Sequence, residues 1–464
     1  MKDYKYNWKY LIAITTISAL GGLLFGYDWV VIGGAKPFYE AHFEITGSAF
    51  LQGWAMSCAL IGCLGGAALS GWLSDRFGRK RLLIICAGIF ILASIGTGSA
   101  GTFTEFVIFR IAGGVGIGLA SNLSPMYIAE IAPANVRGRF VSINQLTIVI
   151  GILAAQFINW KIAKPVPTDA TIMEIMTSWN GQFGWRWMFY ACAVPAGLFF
   201  ILMWFVPESP RFLAKGKCNR IKVFHILRKI GGDDYADAEL DSIRNTLYSR
   251  EEKTDFQLLK NRGFLKLLTV GVVIAIFQQW CGINVIFNYA HEIFANAGYS
   301  VSDTLFNIVI TGSVNLVFTF IGMFTVDRFG RKGLMLLGAG GLAGIFAVIG
   351  AMYYVHLQGV PLLVMVVAAI ACYGMSLAPV TWVVLSEIFP NRIRGFAMSI
   401  STIALWSACF VLTYTFPLLN KLLKASGTFW LYGFICILGF WFILKKLPET
   451  KGKSLEEIEH ELVD

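Results

Sequence analysis

The sequence predicts an all-α polytopic membrane protein with twelve transmembrane helices in two six-helix bundles and short intracellular helices. Three observations carry that expectation. The 464-residue chain is 56% hydrophobic and only 14% charged, against about 25% charged residues in an ordinary soluble domain. Apolar runs such as 82–101, 188–206 and 335–355 reach the roughly 20 residues that cross a bilayer as a helix. Two phrases occur twice, in the same order. Asp75-Arg76-Phe77-Gly78-Arg79-Lys80 returns as Asp327-Arg328-Phe329-Gly330-Arg331-Lys332, 252 positions later. Glu130-Ile131-Ala132-Pro133 with Arg137-Gly138 returns as Glu387-Ile388-Phe389-Pro390 with Arg394-Gly395, 257 positions later. Two repeats at nearly one offset indicate a duplicated half. Secondary transporters are commonly built from such repeats, with the substrate held between them.

In chain order, the spans are expected at 11–33, 50–73, 82–101, 104–130, 138–160, 186–206, 265–290, 304–326, 334–355, 361–386, 396–418 and 428–446. The first apolar run leads into Gly26-Tyr27-Asp28, not a small-residue cleavage site, so no signal peptide is expected. Each copy of the first phrase ends one apolar stretch and opens the next. Segment 207–263 is polar and lacks a spanning run. The spacing of its apolar residues predicts amphipathic helices over 218–230 and 236–250. The expected organisation is therefore a first bundle over 1–206, a cytoplasmic helical linker over 207–263, a second bundle over 264–447 and a cytoplasmic tail over 448–464. In that tail, Ser454 and Glu457 have the spacing of a helix capping box.

The formal net charge of +10 reads as topology. With the amino terminus inside and twelve passes, six of the 38 Lys and Arg fall outside: Lys36, Lys161, Lys164, Arg186, Lys421 and Lys424. Arg110 lies in a span, and the rest are cytoplasmic, where Lys and Arg are enriched. Both termini are expected in the cytoplasm and no nucleic-acid partner is expected. The nine cysteines fit neither a disulfide framework nor a zinc site. They read as small apolar packing residues, and no metal, cofactor or enzymatic constellation is expected. Gly113-Gly114-Val115-Gly116-Ile117-Gly118 imitates a nucleotide loop without a preceding strand, so close helix packing is expected there. Gly452-Lys453-Ser454 lacks the upstream glycine of a phosphate loop.

Positive-inside topology explains the basic residues of the repeated phrases but not Asp75, Glu130, Asp327 and Glu387, since acids do little for orientation. Ion pairs between loops that latch the cytoplasmic side are expected instead, with Arg76, Arg79, Arg137, Arg328, Arg331 and Arg394 as basic partners.

Inside the spans, Asp28 and Arg110 stand out. A charge at a helix centre costs about 2.5–3.5 kcal/mol on the insertion scale, so each needs a partner or a wet cavity. A carboxylate that alternates between an arginine contact and protonation is a simple proton carrier. The plainer alternative is a static pair that orients two helices. Gln145, Gln278, Gln279 and Asn284 supply donors and acceptors suited to a neutral polyol. Trp382 and Trp406 supply apolar faces for a sugar ring. Asn315 adds a further amide, and interhelical hydrogen bonding is the bland reading of all these amides.

These residues resemble the sugar porter family of the major facilitator superfamily over nearly the whole chain. The resemblance rests on both Asp-Arg-Phe-Gly-Arg-Lys copies, Pro207-Glu208-Ser209-Pro210-Arg211, Gln278-Gln279 with Asn284, and Pro448-Glu449-Thr450-Lys451-Gly452. Gly26-Tyr27-Asp28 and Ser124-Pro125-Met126-Tyr127-Ile128-Ala129-Glu130 look most like bacterial xylose–proton symporters. The resemblance implies the major facilitator fold and proton-coupled import of a monosaccharide, pentose or hexose, by a protein working as a monomer in a bacterial inner membrane. It implies that Asp28 and Arg110 couple protons and that Phe25, Gln145, Gln278, Gln279, Asn284 and Trp382 touch sugar, with Trp406 nearby. It adds Glu208, Arg211 and Glu449 to the cytoplasmic latch. Facilitators of the family often carry Asn at the Asp28 place, so Asp28 favours symport. The alternatives are a passive facilitator and a non-transporting sugar sensor. Two departures stand out: Leu405 replaces a Gln before the eleventh-span Trp, and Asn288 replaces a Tyr after the seventh-span Asn.

Overall fold

The computed structural model describes residues 4–133, 136–167, 170–215, 220–249, 262–295, 298–357, 359–389, 394–447 and 449. Among them there is helix and no strand. The first five spans are Trp8–His42, Ala49–Phe77, Arg79–Ser99, Phe103–Ile131 and Arg137–Ile162. The sixth, Asn180–Met203, opens on a π-helical turn. The seventh to tenth are Leu265–Asn288, Asp303–Thr325, Arg331–Tyr354 and Val360–Leu385. Arg394–Lys446 makes the last two passes. Its backbone leaves helical geometry at Lys424 (φ 58°, ψ 173°). Among the described residues, eleven long apolar helices thus make twelve passes.

Local signals set the helix ends. The Asn7 side chain caps the first helix, accepting from the Tyr10 N–H at 3.2 Å. Thr102 and Glu105 form a capping box on the fourth. Between the fifth and sixth spans, Asn180 ties the loop by a reciprocal pair of 2.8 Å bonds to the Lys164 backbone.

In the first half the second span packs on the fourth, the first on the fifth, and the third on the sixth. Small residues permit this closeness. A Cβ on Gly114 would come within 1.9 Å of the Ala59 carbonyl oxygen, and one on Gly118 within 2.1 Å of that of Cys63. The glycine-rich run 113–118 is a helix-packing surface. In the second half, Arg394–Lys446 packs on the seventh and ninth spans, and the eighth packs on the tenth. Between the halves, the second span meets Arg394–Lys446 and the fifth meets the eighth.

The linker forms Pro210–Lys215, which was not expected, and Arg220–Gly231 and Asp233–Ser249, whose ends lie one to three residues from the expected boundaries. Val223, Leu227 and Ile230 turn inward. The Asn7 N–H donates to the Ile230 carbonyl at 2.8 Å, so the start of the first span lies on the linker side. Successive passes place both Asp-Arg-Phe-Gly-Arg-Lys turns on that same side, here called the motif face. The segment 450–464, with its expected capping box, lies outside the described residues, as do the side chains of Asp327 and Arg394.

The first helix extends well past its expected end at residue 33, through Pro37, to His42. Lys36, expected in an outer loop, is a helical residue only 2% exposed. Proline is tolerated in membrane helices because neighbouring groups re-satisfy the freed backbone. Lys36 also lies one turn from Glu40, 2.8 Å away, which favours continued helix.

Two spans of the second half are broken. The seventh breaks at Gly282, with φ +88°. The tenth breaks at Ser376, with φ −118° and ψ −86°. A Cβ at Gly282 would come within 2.8 Å of the Tyr432 ring. Gly282→Ala should therefore lower the melting temperature of the purified protein, since left-handed geometry alone costs an L-residue about 1–2 kcal/mol. Gly344→Ala, where an added Cβ meets nothing within 4 Å, should melt like the parent. Equal melting of the two variants would contradict this account of the break.

Candidate functional site

Asp28 projects from the first span and Arg110 from the fourth. Arg110 Nη1 donates to Asp28 Oδ1 at 2.8 Å and Oδ2 at 2.9 Å. Both residues are deeply buried, at 6% and 4% exposure. The guanidinium lies over the Phe189 ring, 5.7 Å from its centroid. Its Nε has no hydrogen-bond partner. A cavity of about 10 Å³ adjoins the pair, lined by Asp28, Trp29, Arg110 and Asn288 among others. That is about the space one water needs. Asn288 comes from the second half, and its buried Oδ1 is also unpartnered. The charge pair thus sits against the boundary between the halves, beside unsatisfied polar atoms.

The break in the seventh span gathers the amides. Gln278, Gln279 and Asn284 are all buried. Asn284 donates to Gln279, Gln279 donates to Gln278, and Gln278 donates to the Tyr373 hydroxyl at 2.6 Å. This chain runs in one line to the Tyr373 hydroxyl, so an incoming polyol can exchange hydroxyls for amide partners without stranding a buried group. Aromatic rings close the centre from both halves. Phe25 lies 5.8 Å from Trp406, Trp29 lies 6.0 Å from Trp406, and Phe25 lies 6.0 Å from Trp29, between ring centroids.

Other expected residues fall into different settings. Trp382 follows the tenth-span break and is 37% exposed. Gln145 is half-buried in the fifth span. Its neighbours face the first span: Thr147 donates to the Ala19 carbonyl at 2.7 Å. Asn315 accepts from Thr319 at 3.5 Å and faces Gly374 of the tenth span, as an interhelical residue does. Leu405, next to Trp406, is 3% exposed. Trp29 and Tyr373 were not expected. Trp29 directly follows Gly26-Tyr27-Asp28, whereas no local signal in the tenth span marks Tyr373. Among the described residues no group of His, Cys, Asp or Glu is placed to hold a metal ion.

The motif face carries two matching networks. In the first half, Glu208 Oε1 accepts from the Arg79 and Lys80 backbone N–H groups at 3.0 and 3.1 Å. Arg79 Nη2 meets Glu130 at 2.9 Å, and Glu130 also accepts from the Ser209 hydroxyl. Asp75 pairs with Arg79 at 3.5 Å and Lys215 at 3.1 Å. In the second half, Glu449 accepts from the Arg331 and Lys332 N–H groups at 2.9 and 3.1 Å. Arg331 Nη2 meets Glu387 at 2.9 Å. In each half a carboxylate caps the N-terminus of a span, where orphan donors and the helix dipole favour an anion. Gly78 and Gly330 precede those spans at φ +88° and +78°. A Cβ on either would strike the capping carboxylate, at 2.4 Å from Glu208 or 2.6 Å from Glu449.

These described pairs tie loops within one half. Arg76 lies over the rings of Trp72 and Phe77, 5.5 Å from each. Arg137 is half-buried with its Nε unpartnered. Arg211 is half-buried in Pro210–Lys215, and Arg328 is exposed at the end of the eighth span.

A family model described as "Sugar (and other) transporter" matches residues 14–462. The chain belongs to that family. It is 41% identical to the D-xylose-proton symporter of Escherichia coli K12, over 98% of this chain and 96% of that protein. It is 38% identical to the arabinose-proton symporter of Bacillus subtilis, over 98% and 95%. Its structure resembles that of the Escherichia coli xylose transporter XylE in an inward open conformation, with a TM-score of 0.85 and 38% identity over 97% of this chain and 100% of that one. The protein is a multi-pass membrane transporter of the major facilitator fold, not an enzyme.

The capping geometry generates a prediction. Glu208→Ala and Glu449→Ala should each destabilise the purified protein by about 1–3 kcal/mol, because two helix N–H donors lose their acceptor. The matching Gln variants should fall between parent and Ala. Thermal unfolding in detergent checks the order. Ala variants as stable as the parent would show that solvent replaces the carboxylates without cost.

Proposed function

We propose that this chain imports a monosaccharide, a pentose or hexose such as xylose or glucose, together with protons by alternating access. The observation that carries the reading is the buried Asp28–Arg110 pair beside a cavity whose wall is completed by the other half. Relative movement of the halves changes what surrounds Asp28, and that is the requirement for coupling. A proton contributes to the cycle only if its binding differs between the two conformations.

The sugar is held by Gln278, Gln279 and Asn284, with Gln145 and Trp382 contributing from either side. Phe25 and Trp406 form the apolar wall on which ring C–H groups rest. Leu405 offers no hydrogen bond where a polar residue would, so it bears on which sugar is preferred.

The motif face is taken as cytoplasmic, with both termini there, in a bacterial inner membrane. Residues 1–206 and 264–447 act as the rocking bodies of a monomer, with 207–263 as the linker and 448–464 as the tail. The present conformation is inward-facing. The opposite face is closed: a Cβ at Gly33 would lie 3.0 Å from the Asn288 carbonyl oxygen, and one at Gly53 would lie 2.4 Å from that of Tyr414. The motif-face networks hold loops within each half, and in the other conformation they are the groups that meet. Asp75, Asp327, Arg137, Arg211, Arg328 and Arg394 would then exchange partners across the gap.

Gln278→Ala and Trp382→Ala should each weaken sugar binding about tenfold or more, since a buried polyol loses a paired group or a stacking face. Calorimetry on purified variants over a panel of pentoses and hexoses measures this. Unchanged affinity in either would remove that residue from the site. On the same panel Leu405→Gln should alter the ranking of sugars.

Asp28→Asn keeps the size of the side chain and removes the exchangeable proton. Sugar counterflow in proteoliposomes should persist, while accumulation driven by a proton gradient should vanish. A passive facilitator would show no accumulation in the parent. A static structural pair would make counterflow and accumulation fall together. Proton-driven accumulation retained in Asp28→Asn would eliminate this carboxylate as the carrier.

A further inference from the structure

A second buried charge cluster lies away from the site described above, near the opposite face. Lys36 Nζ pairs with Glu40 at 2.8 Å and also with Glu292. Glu40 in turn accepts from Gln52 Nε2 at 3.2 Å. Lys36 lies over the Tyr289 ring, 5.4 Å from its centroid, and is almost wholly buried. Lys36 and Glu40 belong to the first span, Gln52 to the second. Glu292 and Tyr289 belong to the second half, just past the seventh span. The Lys36–Glu292 contact is therefore an ion pair between the two halves.

Its position relative to Asp28 gives it a role. Asp28, Ile32, Lys36 and Glu40 follow one another at intervals of four, so they share one face of the first helix. Lys36 stands about 12 Å along the axis from Asp28, at about 1.5 Å per residue. Asn288 and Glu292 are also four apart. Ile32 and Asn288 line the Asp28 cavity, and Lys36 meets Glu292 beyond them. On the far side of the cluster an open cleft of about 300 Å³ is lined by Gln52, Glu292, Asn420 and Lys421, among others. The ion cluster thus stands between that cleft and the cavity holding Asp28.

We propose that Lys36, Glu40 and Glu292 form a charged plug that closes the opposite face and seals the Asp28 cavity from it. Opening that face carries Glu292 away with the second half. Lys36 keeps its helical partner Glu40, so no buried charge is left alone when the plug separates. Glu40 is the holder and Glu292 the detachable partner. The plug sets how readily the transporter opens to the opposite face, and it prevents protons reaching Asp28 from both faces at once. The second clause rests on the alternating-access reading above. The plug itself requires only the two halves to separate there.

Cys63 is a native reporter, since it lines the same cavity and is buried. In membranes, a thiol reagent unable to cross the bilayer, applied from the opposite face, should modify Cys63 slowly in the parent. Peptide mass mapping distinguishes Cys63 from the other cysteines. Glu292→Ala, at a partly exposed position, should raise the rate about tenfold, a typical size for the loss of one coupling contact between states. Lys36→Glu should do the same. The double exchange Lys36→Glu with Glu292→Lys again sets one lysine among two glutamates, and it should restore protection. Restoration separates a cross-half pair from general loosening, and size-exclusion profiles confirm that each variant is folded. Single variants labelled at the parent rate would overturn the proposal. So would a double exchange that labels as fast as the singles. The measurement uses neither sugar nor a proton gradient, so its failure is distinguishable from failure of the symport reading.

Discussion

Charge inside a bilayer has to be held by protein, because the hydrocarbon supplies neither water nor counter-ions. In this chain that requirement decides which helices stand together. Asp28 and Arg110 join the first span to the fourth. Lys36, Glu40 and Glu292 join the first span to the second half. The first assembly is not fully satisfied. Arg110 Nε and Asn288 Oδ1 lack partners at the Asp28 cavity. These atoms stand beside room for about one water, at a wall that the second half completes.

The amides obey the same constraint by different means. Gln278, Gln279, Asn284 and Tyr373 pass hydrogen bonds along one line. They are neutral, so their burial costs little while the line is complete. The line is possible because Gly282 interrupts the seventh span. An unbroken helix would send positions 278, 279 and 284 around its circumference. The left-handed glycine lets them converge, and the interrupted backbone faces protein, not lipid.

Much of this was legible in the sequence because its carriers are local or repeated. Apolar runs give spans by length alone. The duplicated phrases announce two related halves. A lone Asp in an apolar run announces a partner, and Arg110 was one of few that could serve. The capping role of Glu208 and Glu449 was not legible, since each acts on a turn more than a hundred residues away. The extent of the first helix was missed for a definite reason. Pro37 and Lys36 read as loop residues, yet Lys36 and Glu40 stand four apart, and that spacing is the helical signal that outweighed the proline. Glu292 could not be matched to Lys36 by any local rule, because the pair spans 256 positions. The sharing of the central aromatic wall by Phe25, Trp29 and Trp406 is likewise a tertiary fact.

The two faces of the molecule use charge in opposite ways. On the motif face, Arg79 pairs with Glu130 and Arg331 with Glu387, each inside its own half, and Glu208 and Glu449 cap helices of those halves. Each half there is a finished object that can move without exposing an unpaired cap. On the opposite face, Lys36 reaches across to Glu292, and backbones of the two halves approach closely at Gly33 and Gly53. A rocking motion exchanges one kind of contact for the other. Opening the opposite face trades the Lys36–Glu292 pair for solvation of Glu292. Because Lys36 keeps Glu40 when Glu292 leaves, the exchange strands no buried charge. A ligand or a proton then shifts the balance through its difference in affinity for the two conformations.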